Sequence, residues 1–341
     1  MKKRDKKLFF SMTYEFLEIY MRIQLERSPA TIESYRDALT VFRYFLRDQK
    51  HISLGSFEFI QCTRDLVLDF MEHLAAAGNK PGTRNQRLAA LKSYLWFAAD
   101  KDISLQSIAL SIGRVKACRN PKKEKPILDE EALRLLFDAP GNTKIGVRDR
   151  TIMILLYDSA ARIDEILSLK KQDICLDSET PFIHVIGKGQ KERVIALTEQ
   201  SCRHLQQYLA VYHPKNGPDT ELLFYTIIKG IVSKMSAANV ERFLKKYAKQ
   251  VQDVYPDIPD RVHPHMFRRT RATGLYRDGV DLAIVSRFLG HAQLETTRIY
   301  ATPSVEMMRQ AIEKSSINSA IEEPIWNADA DKVMAKLCGL R

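Results

Sequence analysis

This sequence of 341 residues predicts a chain built mainly from α-helices, with one small antiparallel β-sheet in its second half. Three observations lead there. Apolar residues recur at helical spacing through the first hundred residues, as in Phe16, Leu17, Tyr20 and Ile23, then Tyr35, Leu39, Phe42, Phe45 and Leu46. Strand-like alternation is confined to the region of Ile174, residues 182–186 and residues 194–197. The last two runs are joined by the glycine-rich turn Gly187-Lys188-Gly189-Gln190-Lys191-Glu192. Helical spacing then returns, over 199–212, 236–251 and most of 264–302.

In chain order, Ser28 caps a helix with Pro29 at its first position. A further helix runs over 63–77 with Leu66, Phe70 and Leu74 inward, and Gly78 ends it. The next, opened by Thr83, buries Leu88, Leu91, Leu95 and Trp96. Residues 112–126 break this pattern with Gly113, Pro121 and Pro126. They also gather Arg114, Lys116, Arg119, Lys122, Lys123 and Lys125 against Glu124 alone. That stretch reads as a basic linker between a helical domain over 1–111 and a second domain over 127–318, with a tail over 319–341. In the second domain Asp129 caps a helix over 130–138, and an apolar helix covers 149–160. Three short helices follow at 264–278, 281–289 and 295–302, with Gly279 as the left-handed exit of the first and Asp281 capping the second.

Composition narrows the partner. Fifty-three Lys and Arg against forty-two Asp and Glu leave a net charge of +11, which favours a polyanion, nucleic acid first. No apolar run approaches the ~18 residues of a membrane-spanning helix, and the charged start has no apolar segment suited to secretion. The five cysteines have no C-x-x-C spacing and read as reduced thiols in a cytoplasm.

The chemistry concentrates near the second domain's end. His265 and Arg268 are three apart and share a helix face; Leu289-Gly290-His291 follows, then Tyr300 nine residues after that histidine. In order and spacing these resemble the C-terminal signature of the tyrosine recombinase (phage integrase) family. Upstream, A-R-I-D-E-I-L around Arg162 resembles that family's first-arginine motif, and V-I-G-K-G-Q-K-E-R-V its lysine hairpin. The N-terminal S-P-A-T-I-E-S-Y-R-D-A-L is similar to its core-binding, SAM-like domain. The resemblance covers roughly residues 11–317. Only about ten residues precede the first helix, which implies a simple Xer-like or transposon-type member without an arm-binding domain.

The resemblance implies a site-specific recombinase that cuts and rejoins DNA through a 3′-phosphotyrosyl link on Tyr300. Arg162 and Arg268 would grip the phosphate, since a planar guanidinium meets two oxygens at once and an ammonium does not. His265 and His291 would handle protons or bind the phosphate, Glu165 would orient the basic groups, and Lys188, with Lys191 as fallback, would protonate the leaving 5′ oxygen. Because the covalent link stores the broken bond, no cofactor or metal is expected. Expected DNA contacts are Arg84, Arg87 and Lys92 near the start of their helix, and Arg114, Lys116, Arg119, Lys122 and Lys123 in the linker. The implied partners are a double-stranded recombination site and a homotetramer on DNA, a dimer per site, with an accessory recombinase or host factor as a further partner. A type IB topoisomerase-like enzyme and an inert DNA-binding accessory protein are the alternative readings. In the tail, Val305, Met308 and Ile312, then Trp326, Val333, Met334 and Leu337, could dock on a neighbouring protomer or fold back on their own domain.

Overall fold

The computed structural model describes residues 7–120, 125–187, 191–214, 218, 220–291, 293–300, 307–309 and 328–339. The chain divides into two compact units, residues 1–124 and 125–341.

In the first unit, α1 (Pro29–Lys50), α2 (Arg64–Ala76), α3 (Pro81–Lys101) and α4 (Gln106–Gly113) form a helical bundle. The expected Ser28 cap is present, its Oγ accepting from Thr31 N at 3.3 Å, and Thr63, expected inside its helix, caps α2 instead, its Oγ1 accepting from Leu66 N at 3.2 Å. An aromatic cluster around Phe9 closes the core, with Phe42, Phe57, Phe59 and Tyr94 within 5.1 to 5.6 Å between ring centres. The Tyr94 hydroxyl donates to the Phe9 carbonyl.

Four expectations for this unit need correcting. Ile23 is 66% exposed, because Glu15–Gln24 winds as a π-helix. Its wider turn moves the buried stripe to Phe16, Leu17 and Met21, and Leu25 N bonds back five residues to Tyr20 O. Trp96 is 39% exposed; Leu88, Leu91, Tyr94 and Leu95 are the residues that α3 turns inward. Helix α3 also begins two residues before Thr83, with Pro81 as its first residue. Helix α4 occupies part of the stretch read as linker.

The second unit runs α5 (Glu130–Asp138), α6 (Lys144–Asp158), α7 (Ile163–Leu167), β1 (Ile174–Cys175), β2 (Phe182–Ile186), β3 (Glu192–Ala196), α8 (Glu199–Tyr212), β4 (Tyr225–Ile228), β5 (Ile231–Lys234), α9 (Ala237–Gln252), α10 (Pro264–Arg277) and α11 (Leu282–Leu289). Strands β1, β2 and β3 form an antiparallel sheet in that order, with His184 opposite Val194. Period-two alternation sends Ile183, Val185 and Ile195 into the core. The apolar helix α6 lies between α8 and α10, so residues just past its end sit at the centre of the unit. The β4–β5 hairpin was not foreseen; Lys229 and Gly230, both at positive φ, make its two-residue turn.

Residues 295–302 were expected as a helix. The described part forms two 3₁₀ turns instead, Leu294–Thr296 and Arg298–Tyr300. The adjacent β-branched residues Thr296 and Thr297 disfavour an α-helix, and Thr297 Oγ1 lies 2.8 Å from His291 Nδ1. In the tail, α12 (Ala328–Leu337) leaves Val333, Met334 and Leu337 exposed; Val305, Ile312 and Trp326 lie outside the described residues. No described helix is long and apolar enough to cross a membrane, and the five cysteines are free.

Candidate active site

The site begins where α6 ends. Ala160 takes a left-handed φ of 45°, turning the chain so that Arg162 becomes the N-cap of α7. One turn later Glu165, 6% exposed, reaches back: its Oε2 accepts from Arg162 N at 2.8 Å and its Oε1 from Arg162 Nη1 at 2.9 Å. A carboxylate and a guanidinium are thus fixed in one turn.

A residue that sequence reasoning did not single out completes this group. Arg193 on β3 donates to the same carboxylate, Nη2 to Oε2 at 2.8 Å and Nη1 to Oε1 at 3.3 Å. Its guanidinium lies in a slot with no room for another side chain. A Cβ on Gly290 would stand 3.0 Å from Arg193 Nη1, and one on Gly187 would stand 3.2 Å from Glu165 Oε1. Burial of Glu165 works to raise its pKa, but the hydrogen bonds from Arg193 and Arg162 outweigh that. The carboxyl therefore titrates below the usual range.

Helix α10 supplies the second arginine. Arg268 is 2% exposed; its Nη1 donates to Ala160 O at 2.5 Å and its Nη2 to Leu289 O at 2.7 Å. One side chain thereby ties the end of α6 to the end of α11. Desolvation, then the charge on Arg162, pulls its pKa down to about 10, so it remains a cation at neutral pH.

Gly290, left-handed at φ 65°, ends α11 and delivers His291 to the same place. His291 Nε2 is 3.0 Å from Arg268 Nη2. Desolvation, with Arg268, Arg162 and Arg193 close by, pushes its pKa down to about 4, leaving a neutral ring at pH 7. The Tyr300 ring stacks on His291, centres 6.1 Å apart and planes at 20°. Tyr300 also packs on a small apolar cluster of Ala160, Ala272, Val285 and Leu289.

Of the remaining expectations, His265 is exposed at the start of α10. Desolvation, then the charges on Arg268 and Arg162, lowers its pKa. His263 precedes α10 as its N-cap without a capping side-chain bond, and His184 lies 3.5 Å from Glu192 on the sheet face. Lys188 lies outside the described residues, as do Lys122 and Lys123. Lys191 is exposed. In the first unit, Arg114, Lys116 and Arg119 are exposed, whereas Arg87 donates to Asn79 Oδ1 at 2.8 Å. Lys92 Nζ is spent on backbone, donating to Gly113 O at 2.9 Å and Val115 O at 2.6 Å. Arg84 keeps a buried Nε without a partner among the described residues.

Two neighbouring guanidiniums, a neutral imidazole and a phenol form a set suited to a phosphodiester: cations for the non-bridging oxygens, an acceptor for a proton, a nucleophile. Comparison with known proteins gives the family. Residues 126–307 match the model of the phage integrase family, and residues 15–102 that of the phage integrase N-terminal SAM-like domain. The chain is 31% identical over 299 residues to the tyrosine recombinase XerC of Staphylococcus saprophyticus, across 86% of this chain and 93% of that one. It is 29% identical over 326 residues to that of Chlamydia caviae, across 91% and 99%. Two solved structures share the fold. The XerH site-specific recombinase bound to difH substrate has a TM-score of 0.63 at 22% identity, over 86% of this chain and 81% of that one. The Tn1549 transposon integrase with transposon right end DNA has a TM-score of 0.69 at 16% identity, over 89% and 99%. This chain belongs to the phage integrase family of tyrosine recombinases.

Proposed function

We propose that this tyrosine site-specific recombinase cuts and rejoins duplex DNA by attack of the Tyr300 oxygen on phosphorus. Arg162 and Arg268 hold the non-bridging oxygens, and His265 and His291 handle the proton or bind the phosphate. A phenol with a pKa near ~10 needs both cations and a base to attack at neutral pH. The observation that carries the reading is the stacking of Tyr300 on His291, itself 3.0 Å from Arg268. That contact supports a nucleophile and a phosphate grip supplied by one protomer. His265, at the exposed start of α10, faces the same phosphate, and Glu165 holds Arg162 in place. Lys188 of the β2–β3 turn gives its proton to the leaving 5′ oxygen, a role taken from the family resemblance.

The substrate is a double-stranded recombination site bound by a dimer, with two sites joined in a tetramer, and the cytoplasm is the setting. The net charge of +11 supports DNA as the partner. The test is a suicide duplex, nicked beside the scissile phosphate so that rejoining fails. Wild-type protein should form a covalent protein–DNA adduct that Tyr300→Phe does not form. An adduct that persists in Tyr300→Phe would refute the assignment. Sequencing the trapped DNA identifies the site, and synapsis of two duplexes separates recombination from single-site relaxation.

A further inference from the structure

Helix α3 spends much of its polar face on the chain that follows α4. Lys92 Nζ donates to Gly113 O at 2.9 Å and to Val115 O at 2.6 Å. Two turns earlier on the same face, Asn85 closes a two-sided pair with Cys118. Its Nδ2 donates to Cys118 O at 2.9 Å and its Oδ1 accepts from Cys118 N at 2.7 Å. At the two ends of this stripe, a Cβ on Gly113 would stand 3.8 Å from Trp96 Nε1, and one on Gly82 would stand 3.5 Å from Asn120 Nδ2. Residues 113–120 therefore run back along α3, from Trp96 towards Gly82. Val115, 3% exposed, belongs to the core of the unit, and Cys118 packs on that core. Anchored positions 113, 115 and 118 thus alternate with the exposed cations Arg114, Lys116 and Arg119.

We propose that Asn85 and Lys92 are positioning residues: they strap residues 113–120 onto α3 and so present Arg114, Lys116 and Arg119 to a DNA backbone as a preset row of cations. This rests on the reading of duplex DNA as the partner. A cation on a free linker must be ordered before it can stay on a phosphate, and fixing one residue's backbone costs about 5- to 30-fold in affinity. On α3 the ordering is complete before DNA arrives. The Asn85 amide suits the task because it offers one donor and one acceptor, the pair that the backbone of Cys118 needs. A neighbouring strand would satisfy Cys118 in the same way. The Lys92 ammonium is committed to carbonyls at the end of α4, so it supports the row without joining it. Lys92, expected on DNA, acts one step back: it holds the strap, and the strap meets the phosphates.

The test uses the full chain, trypsin and a duplex of mixed sequence, since phosphate contacts do not depend on sequence. Asn85→Ala removes both bonds to Cys118 and, alanine being the better helix former, leaves α3 intact. Without DNA, trypsin should cut Asn85→Ala at the Lys116–Ala117 and Arg119–Asn120 bonds about 10-fold faster than wild type, read by mass spectrometry. Asn85→Ala should also bind the duplex about 5- to 30-fold more weakly. When Arg114, Lys116 and Arg119 are all replaced by Gln, adding Asn85→Ala should change affinity no further, because the row it positions is gone. Equal cutting of wild type and Asn85→Ala would overturn the proposal. So would an undiminished effect of Asn85→Ala in the Gln-substituted chain, which would make Asn85 a DNA contact in its own right. A wild-type chain that leaves the duplex unbound would instead overturn the DNA reading and leave the proteolysis result standing.

Discussion

Arg193 grips Glu165 with both terminal nitrogens, at 2.8 and 3.3 Å, so the carboxylate that orients Arg162 is itself oriented by a strand of the sheet. Both partners are largely buried, with side chains 13% and 4% exposed. Removing one member of such a pair leaves the other's charge poorly compensated. Arg193→Ala should therefore lower stability by about 1–3 kcal/mol, Arg162 remaining as a partial partner. It should also slow adduct formation, because the freed carboxylate then engages Arg162 more strongly. Arg193→Lys restores charge but not the two-pronged contact, and should recover stability better than rate. Urea unfolding alongside single-turnover cleavage measures both.

Arg268 is the least replaceable cation. Its three contacts, to Ala160 O, Leu289 O and His291, require a branched planar donor. In Arg268→Lys one ammonium with a shorter reach must choose among them, leaving a buried carbonyl without a partner. Adduct formation should fall about 100-fold or more, the scale of losing one charge-stabilising donor. The unfolding midpoint should fall with it; a variant that keeps wild-type rates would show that the phosphate is held elsewhere.

His291 links the site to pH. Its folded pKa of about 4 lies below the 6.5 of a free histidine, so the unfolded chain takes up the proton first. Its contribution to stability is complete above pH 6.5, falls as pH drops from 6.5 towards 4, and changes little below that. His291→Asn should flatten this acid-side slope in denaturant titrations at fixed ionic strength. The rate of adduct formation should show no step near 6.5 that can be traced to His291.

Much of this site was legible in the sequence, because the motifs place their residues locally. The H-x-x-R spacing is a helix face, L-G-H is a left-handed helix exit, and R-x-x-E is a capping turn. Arg193 was not legible. An arginine after a glutamate on a short strand looks like part of a solvated face, and only the crossing of α7, β3 and the Gly290 turn buries it. The β4–β5 hairpin does carry a signal in the sequence, Lys-Gly between two isoleucine-rich runs. Ile23 leaves the buried stripe for another reason: its segment winds as a π-helix, which a 3.6-residue period does not describe.

Ala160 carries strain that a glycine would relieve. It is a non-glycine residue at φ 45°, fully buried, and its carbonyl is a fixed point for Arg268. A left-handed alanine costs about 1–2 kcal/mol relative to an unstrained backbone. The added freedom of glycine in the unfolded chain takes back part of that. Ala160→Gly should thus raise stability by up to about 1 kcal/mol, or about 2–4 °C for a domain of this size. Cleavage should hold or fall slightly as the Arg268 anchor softens. A lower melting temperature would mean that the contacts of the alanine methyl outweigh its strain.

DNA binding separates two kinds of lysine and arginine in the first unit. Arg114, Lys116 and Arg119 are exposed, whereas Lys92 Nζ closes the end of α4 through the carbonyls of Gly113 and Val115. Cations that neutralise phosphates release counterions, and each contributes about 0.9 to the slope of log K against log salt. Replacing all three exposed residues by Gln should therefore flatten that slope by up to about 3, with the melting temperature unchanged. Lys92→Gln should do the reverse, lowering the melting temperature while leaving the slope nearly as it was. Filter binding across a salt series, with a thermal melt of each variant, tells the two roles apart. A Lys92 variant that loses slope but not stability would make that residue a phosphate contact after all.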